Sequence, residues 1–282
     1  MLDKFDCDFE AYADDIKIFK NINSEQDVCN LQKNIDNCEM WCTENGLSLN
    51  AKKCVVLSIT RRRNVEQTIL LSGRQLDFVY EIRDLEVLVD SHLKFNNHIE
   101  AIVRKANQML GFLTRTCQKF TNLKTILCLY KAIVRPHLEY CSSVWSPIYN
   151  IYADKVESVQ HRFTRYVYKK FHYLMEEYQT RLQRLELQSL YDRRMQASAT
   201  VLHKIVNFNL QTSLASQIQY RFNTHNLRTI RTFAFGIPTT NLGKAAPLFR
   251  MCTDYEENFS NVDIFNSNID TFKGQIKQVM SA

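Results

Sequence analysis

Two adjacent carboxylates, Asp14 and Asp15, stand at the centre of Phe9-Glu10-Ala11-Tyr12-Ala13-Asp14-Asp15-Ile16-Lys17-Ile18-Phe19. A turn that holds both groups concentrates negative charge at one point. That is unfavourable unless the carboxylates are solvated, protonated or neutralised by a cation. Hard divalent ions with oxygen ligands suit such a pair, Mg²⁺ above all. Asp-Asp is also ordinary turn chemistry with both side chains in water, so the pair alone leaves both readings open.

The flanking runs alternate apolar and polar, as in Ile16-Lys17-Ile18, which predicts half-buried strands on either side of a tight turn. Ser24 with Asp27 three residues on is a near relative of the capping box. Val28, Leu31, Ile35, Cys38 and Cys42 then recur at helical spacing, Trp41 flanks the stripe, and Gly46 closes the helix. Cys38 and Cys42 read as core residues, because no further Cys or His pair completes a zinc site nearby. The β-rich run Val55–Ile59 follows, so strand, turn, strand, helix and strand make half of a ferredoxin-like α+β unit. Residues 68–79 read as a hairpin around Gly73.

From Asn97 the period becomes helical. Ile99, Ile102, Ala106, Met109 and Leu113 form one stripe. Thr121 can cap a second helix carrying Leu123, Ile126, Tyr130 and Val134, which Pro136 ends or kinks. A third helix, about 154–170, places Val156, Val159, Phe163 and Val167 on one side. The stretch past Phe208 is rich in Asn and Thr and shows only short patterns.

The chain has 282 residues, 45% of them hydrophobic, enough for a sizeable core and one to three domains. The net charge of +6 is mild but unevenly spread. Residues 1–50 hold 4 basic and 11 acidic groups, net −7, and residues 91–170 hold 13 basic and 4 acidic, net +9. An acidic head before a basic middle suits a metal site beside a polyanion-binding surface, or two solvated faces of opposite sign. Arg104, Lys105, Arg115 and Lys119, with Arg162, Arg165, Lys169 and Lys170, are the candidate nucleic-acid contacts; Arg61-Arg62-Arg63 is a further basic run. Nine cysteines without a CxxC pattern predict reduced thiols and an intracellular protein, in nucleus or cytoplasm. No apolar run approaches the roughly 18 residues needed to cross a membrane, so no membrane partner is expected. The first eight residues are too acidic for a signal or transit peptide.

Tyr12-Ala13-Asp14-Asp15 resembles the catalytic hairpin of reverse transcriptases, in the form typical of non-LTR retrotransposons. In the same family a helix ending with Trp and Gly-Leu leads to an Asn-x-x-Lys-[Thr/Cys] stretch, which Asn50, Lys53 and Cys54 match. The residues 84–90 are similar to the family's Tyr-Leu-Gly-Val-x-x-Asp block, with Asp84 and Glu86 in place of Tyr and Gly. Arg135-Pro136-x-Leu-Glu-Tyr-Cys-Ser-x-Val-Trp-Ser-Pro147 resembles the thumb-proximal segment of jockey-like insect retrotransposon polymerases, as does the Glu157-x-Val-Gln-x-x-Phe-Thr-Arg run.

The resemblance implies an α+β chain: a partial palm over 1–95, a basic helical thumb over 96–170, and a carboxy-terminal helical extension with an irregular tail over 171–282. It implies two-metal nucleotidyl transfer with Mg²⁺ or Mn²⁺, on an RNA template with a DNA primer or their heteroduplex. Asp14 is the expected direct ligand and Asp15 its support, with Tyr12 and Asn50 shaping the motifs. Lys53 inherits a candidate role in protonating the leaving pyrophosphate, beside the plain reading of a solvated turn lysine. The family's third carboxylate lies on an earlier strand. Only eleven residues precede Tyr12, and Asp3, Asp6 and Asp8 lack the dozen or more residues that a crossover needs. The expectation is therefore the back half of a reverse transcriptase, without its upstream segment, binding metal weakly and with weak or no activity alone. A non-catalytic nucleic-acid-binding helical module and a decayed element are the alternatives.

Overall fold

The alternation around the Asp-Asp pair folds as read. Strands β1 (Asp8–Tyr12) and β2 (Asp15–Phe19) pair antiparallel, with Tyr12 opposite Asp15 and a two-residue loop between them. Helix α1 (Glu25–Glu44) begins with a complete capping box: Asp27 accepts from the Ser24 backbone at 2.9 Å while the Ser24 hydroxyl accepts from Asp27 N–H at 3.3 Å. These bonds, with the first of them from Asn23, hold the exposed Asp27 carboxyl below its ordinary pKa. At the other end Gly46 takes a φ of +71°, and Leu47 N–H reaches back to Cys42 O at 2.8 Å. That is a Schellman ending, which the glycine permits.

The computed structural model describes residues 7–60, 68–210, 212–221, 232–236 and 238–280. They fall into two compact units, Met1–Leu93 and Lys94–Ala282. The Arg61-Arg62-Arg63 run lies outside the described residues.

In the first unit β3 (Val55–Leu57) is followed by β4 (Leu70–Leu71), β5 (Arg74–Gln75), β6 (Asp77–Val79), β7 (Glu81–Asp84) and β8 (Val87–Asp90). The hairpin expected around Gly73 is present: β4 and β5 pair across Ser72-Gly73, both with positive φ. The single ferredoxin-like sheet is not. Among the described residues the strands form four two-stranded ladders, and β3 pairs in parallel with β6 rather than with the first hairpin. The cause is in the side chains. Val28, Leu31 and Ile35 of α1 are taken up by the small core of Ile69, Leu71 and Leu76, to which Cys54 and Val56 also belong. Cys38 and Cys42 are buried, at 3% and 2% exposure, and burial pushes the Cys38 thiol up to about 11. Gln32 clasps Leu70 from the side, donating to its carbonyl and accepting from its N–H, both at 2.8 Å.

The second unit is helical: α2 (Asn96–Thr116), α3 (Leu123–Leu129), α4 (Pro136–Glu139), α5 (Ser142–Trp145), α6 (Asn150–Lys170), α7 (Tyr178–Arg184), α8 (Leu190–Val206), α9 (Leu214–Gln217), α10 (Asn241–Ala245), α11 (Pro247–Asn258) and α12 (Ile269–Val279). Asn122, not Thr121, caps α3, its side-chain oxygen accepting from Lys124 N–H at 2.9 Å. A π-turn over Tyr130–Val134 then carries the chain to Pro136, which opens α4 instead of breaking a continuing helix. α2 packs on α6, and α8 carries α5, α6, α11 and α12. Described residues past Phe208 join this core: Met251, Cys252, Tyr255, Phe259, Phe272 and Ile276 are buried with Ala199, Leu202 and Ile205 of α8. Among the described residues no helix is long and apolar enough to cross a membrane.

The turn joining β7 to β8 is a strained point of the first unit. Asp84 faces Val87, and both intervening residues, Leu85 and Glu86, have positive φ (43° and 68°). Such a two-residue loop favours Asn-Gly, and L-residues cost roughly 1–2 kcal/mol each there. Leu85→Asn combined with Glu86→Gly is expected to stabilise this unit by about 1 kcal/mol after loss of the exposed Arg83–Glu86 pair. Urea denaturation checks this, through a raised midpoint at unchanged slope.

Candidate active site and nucleic-acid interface

The first hairpin has two unlike faces. Register places Phe9, Ala11, Ile16 and Ile18 on one side, and Asp8, Glu10, Tyr12, Asp15, Lys17 and Phe19 on the other. Asp14 occupies the loop with Ala13, whose φ of 53° strains an L-residue. Both aspartates are exposed, as is Tyr12 at 65%. The carboxylates therefore share one turn in water. Asp8 lies on the polar face but four residues back along the strand, about 13 Å at strand rise, out of reach of a shared ion. Among the described residues no group of three or more His, Cys, Asp or Glu side chains is arranged to hold a metal. Asp14 and Asp15 are the right donor type for Mg²⁺ or Mn²⁺, but a pair does not make a two-metal site.

Lys17, beside Asp15 on the same face, forms a close pair with Asp84, its Nζ 2.6 and 2.7 Å from the two carboxylate oxygens. Asp84, which departs from the Tyr of the block that residues 84–90 resemble, thereby ties the β7–β8 hairpin to the first. Glu86, where the resembled block has Gly, has the positive φ that a glycine adopts without cost.

Asn50 builds the turn that carries Lys53. Its side chain accepts from Lys52 N–H at 3.1 Å and its carbonyl from Lys53 N–H at 2.9 Å. Lys53 is exposed, while Cys54 turns into the small core and its thiol is raised by burial. The Asn-x-x-Lys-Cys pattern is thus a cap, a presented cation and a core residue. The acidic turn and this one belong to the same unit, each on its own loop.

In the helical unit Arg162, Arg165 and Lys169 are exposed and spaced by three and four, which sets them on one face of α6. The inner face buries Val156, Val159, Phe163 and Val167. Lys170 donates to Gln118 O at 2.7 Å, bringing the end of α6 against the 3₁₀ turn that carries exposed Lys119. On α2, Arg104, Lys105 and Arg115 are exposed and divided between faces: Arg104 acts on Glu100, and Lys105 on His137 of α4. The sequence candidates therefore split into a coherent stripe on α6 and scattered charges on α2.

Beneath the stripe lies a buried polar network that sequence reading did not single out. The Tyr130 hydroxyl donates to Gln160 at 2.9 Å, and Gln160 donates to Tyr178 at 3.2 Å and Gln188 O at 2.9 Å. Tyr178 donates to Glu157, which also accepts from Leu190 N–H at 3.1 Å. Burial, and then the nearby Glu157 charge, raise the pKa of both phenols, keeping them as donors. Beside them Glu139 accepts from Arg193, including an Nη2 contact at 2.9 Å, and lies 3.3 Å from Arg135 Nε. The available signal was Gln160 standing within an apolar stripe between Val159 and Phe163.

Over 163 residues, 55% of its length, the chain is 24% identical to the RNA-directed DNA polymerase from mobile element jockey of Drosophila funebris. It is 25% identical over 145 residues, 49% of the chain, to a 115 kDa protein in the type-1 retrotransposable element R1DM of Drosophila melanogaster. An uncharacterised protein of Caenorhabditis elegans is 28% identical over 127 residues, 45% of the chain. The matches span 17%, 14% and 64% of these relatives. No family model matches the chain, and no solved structure does. The similarity to retrotransposon proteins of the jockey and R1 kind supports the resemblance carried by the motifs, over about half of the chain.

Glu139 separates two guanidinium groups, all three side chains being roughly three-quarters buried. Glu139→Gln leaves Arg135 and Arg193 as uncompensated like charges and is expected to cost about 3 kcal/mol. The exposed Arg162→Gln is expected to change stability by less than about 0.5 kcal/mol. Parallel urea titrations of the two variants check the contrast.

Proposed function

We propose that the chain works within an RNA-directed DNA polymerase of a non-LTR retrotransposon. Its helical unit binds nucleic acid, and its acidic hairpin contributes two carboxylates toward a divalent-metal site. The observation that carries this reading is the exposed Arg162–Arg165–Lys169 stripe in a chain similar to retrotransposon polymerase sequences. A row of cations on one helix face neutralises successive phosphates and carries little sequence information. The template and primer, as RNA–DNA heteroduplex, are the natural ligands of such a surface. Asp14 and Asp15 offer oxygen donors without a third partner among the described residues, so no catalytic step is assigned to them within this chain.

Affinity for a 20-base-pair RNA–DNA heteroduplex is expected to fall linearly on a log–log salt plot. Arg162→Gln with Lys169→Gln is expected to lower the slope by about 0.9 per lost contact and to weaken all sequences alike. Fluorescence anisotropy over a salt series checks this; a flat response overturns the reading.

For the hairpin, titration calorimetry with Mg²⁺ and Mn²⁺ is expected to show weak binding that Asp14→Ala removes. Tight binding abolished by that variant overturns the view of a partial site. Primer extension by the chain with Mg²⁺ is expected not to exceed that of Asp14→Ala.

A further inference from the structure

Arg181 on α7 is only 3% exposed, and its Nε and Nη1 are buried without a hydrogen-bond partner. A guanidinium does not shed its proton in a protein, so this is a largely buried positive charge with no acceptor at two of its three nitrogens. Its guanidinium carbon lies 5.5 Å from the Tyr178 ring centroid, and Tyr178 stacks in turn on His161 of α6 at 3.4 Å. Burial disfavours its charge and Arg165 disfavours it further, while only the phenols of Tyr178 and Tyr168 act the other way. No carboxylate is among these neighbours. Arg193 has Glu139, and Arg184 has Glu176 at 3.5 Å and the Tyr173 face at 4.5 Å. Arg194, equally buried with an unpartnered Nη1, differs in that the charges of Glu157, Glu139 and Asp192 act on it. Glu157, the acid that acts on His161, accepts from Tyr178 and Leu190 on Oε1, its Oε2 is buried without a hydrogen-bond partner, and it is not among the charges that act on Arg181.

We infer that Arg181 and Arg165, at the junction of α6 and α7, form a phosphate site that grips the phosphodiester backbone of a nucleic-acid strand lying along the α6 stripe. Arg165 is three residues from Arg162 and four from Lys169, so the site is continuous with that row. A guanidinium fork suits a phosphate oxyanion bidentately, and an oxyanion entering beside Arg165 supplies the acceptor that Nε and Nη1 lack. The assignment of the phosphate to nucleic acid rests on the proposed function; the oxyanion chemistry of the pair does not.

The test uses the full chain with Arg181→Gln, Arg181→Lys and Arg165→Gln. Inorganic phosphate, against chloride at equal ionic strength, is expected to raise the melting temperature of the parent chain. Arg181→Gln should lose that increment and Arg165→Gln should reduce it. With the heteroduplex, Arg181→Gln should lower the salt slope by about 0.9, and Arg181→Lys should keep the slope with weaker binding. A phosphate increment with an unchanged heteroduplex slope makes free phosphate the ligand and overturns the phosphodiester assignment. Absence of any salt-dependent heteroduplex binding by the parent chain overturns the proposed function, and the phosphate increment then decides the oxyanion site by itself. No increment and no slope change overturn the site altogether. If Arg181→Gln does not fold, the exposed Arg165→Gln carries the same comparison.

Discussion

Glu157 sits where three helices meet, accepting from Tyr178 at the start of α7 and from the first backbone N–H of α8, while it belongs to α6. Gln160, one turn along and fully buried, extends the joint to Tyr130 on the π-turn and to the carbonyl of Gln188. Buried polar groups in such a place are costly unless they are met. The Gln160 amide is met at both its oxygen and its nitrogen, whereas Glu157 accepts both its bonds on Oε1 and its Oε2 is buried without a hydrogen-bond partner. The stacking of Tyr130 on Phe163, with centroids 3.8 Å apart, completes the seam. The rotation of α6 about its axis is set from this inner side. The outer row of Arg162, Arg165 and Lys169 has a definite direction because the inner row has no freedom.

The long Arg135–Pro147 signature acquires a physical reason in the same terms. Arg135 and Glu139 join Arg193 of α8, Pro136 starts α4, and Leu138 is buried. Cys141, with a φ of 55°, turns the chain so that the Trp145 indole donates back to Tyr140 O at 2.7 Å. Trp145 itself is fully buried with His98 edge-on at 5.3 Å. The carbonyl of Ser143 accepts from Arg250 of α11 at 2.5 Å. Arg135, Glu139, Ser143 and Trp145 are joints between helices, while Pro136, Tyr140, Cys141 and Val144 face outward. A pattern that reads as a family mark is, in this molecule, a set of packing requirements, and it touches the nucleic-acid question only through the helices it positions.

What could be read from the sequence was local. The capping box at Ser24, the Gly46 ending, the Ser72-Gly73 turn and the burial of Cys38 and Cys42 each depend on residues a few positions apart. The α6 stripe was equally legible, since one helical period separates its members. The parallel pairing of β3 with β6 was not, because the partners, such as Val55 and Asp77, are 22 positions apart and both strands are only three residues long. The Thr121 cap failed by one position, where threonine and asparagine compete and only backbone geometry decides. Arg181 gave no signal at all: an arginine on a short amphipathic helix reads as solvated, and its burial comes from Tyr178 and the helices around it.

The clasp between Gln32 and Leu70 has a further consequence, for association. The outer edge of a strand carries N–H and carbonyl groups that can recruit a strand from another molecule. At Leu70 both groups are occupied by one side-chain amide from α1, and Glu39 accepts from Ser72 N–H at 3.1 Å a little further on. The helix thus does what a neighbouring strand would otherwise do, and finishes the ladder with side chains. A two-residue strand sealed in this way offers no template for edge-to-edge growth along β4.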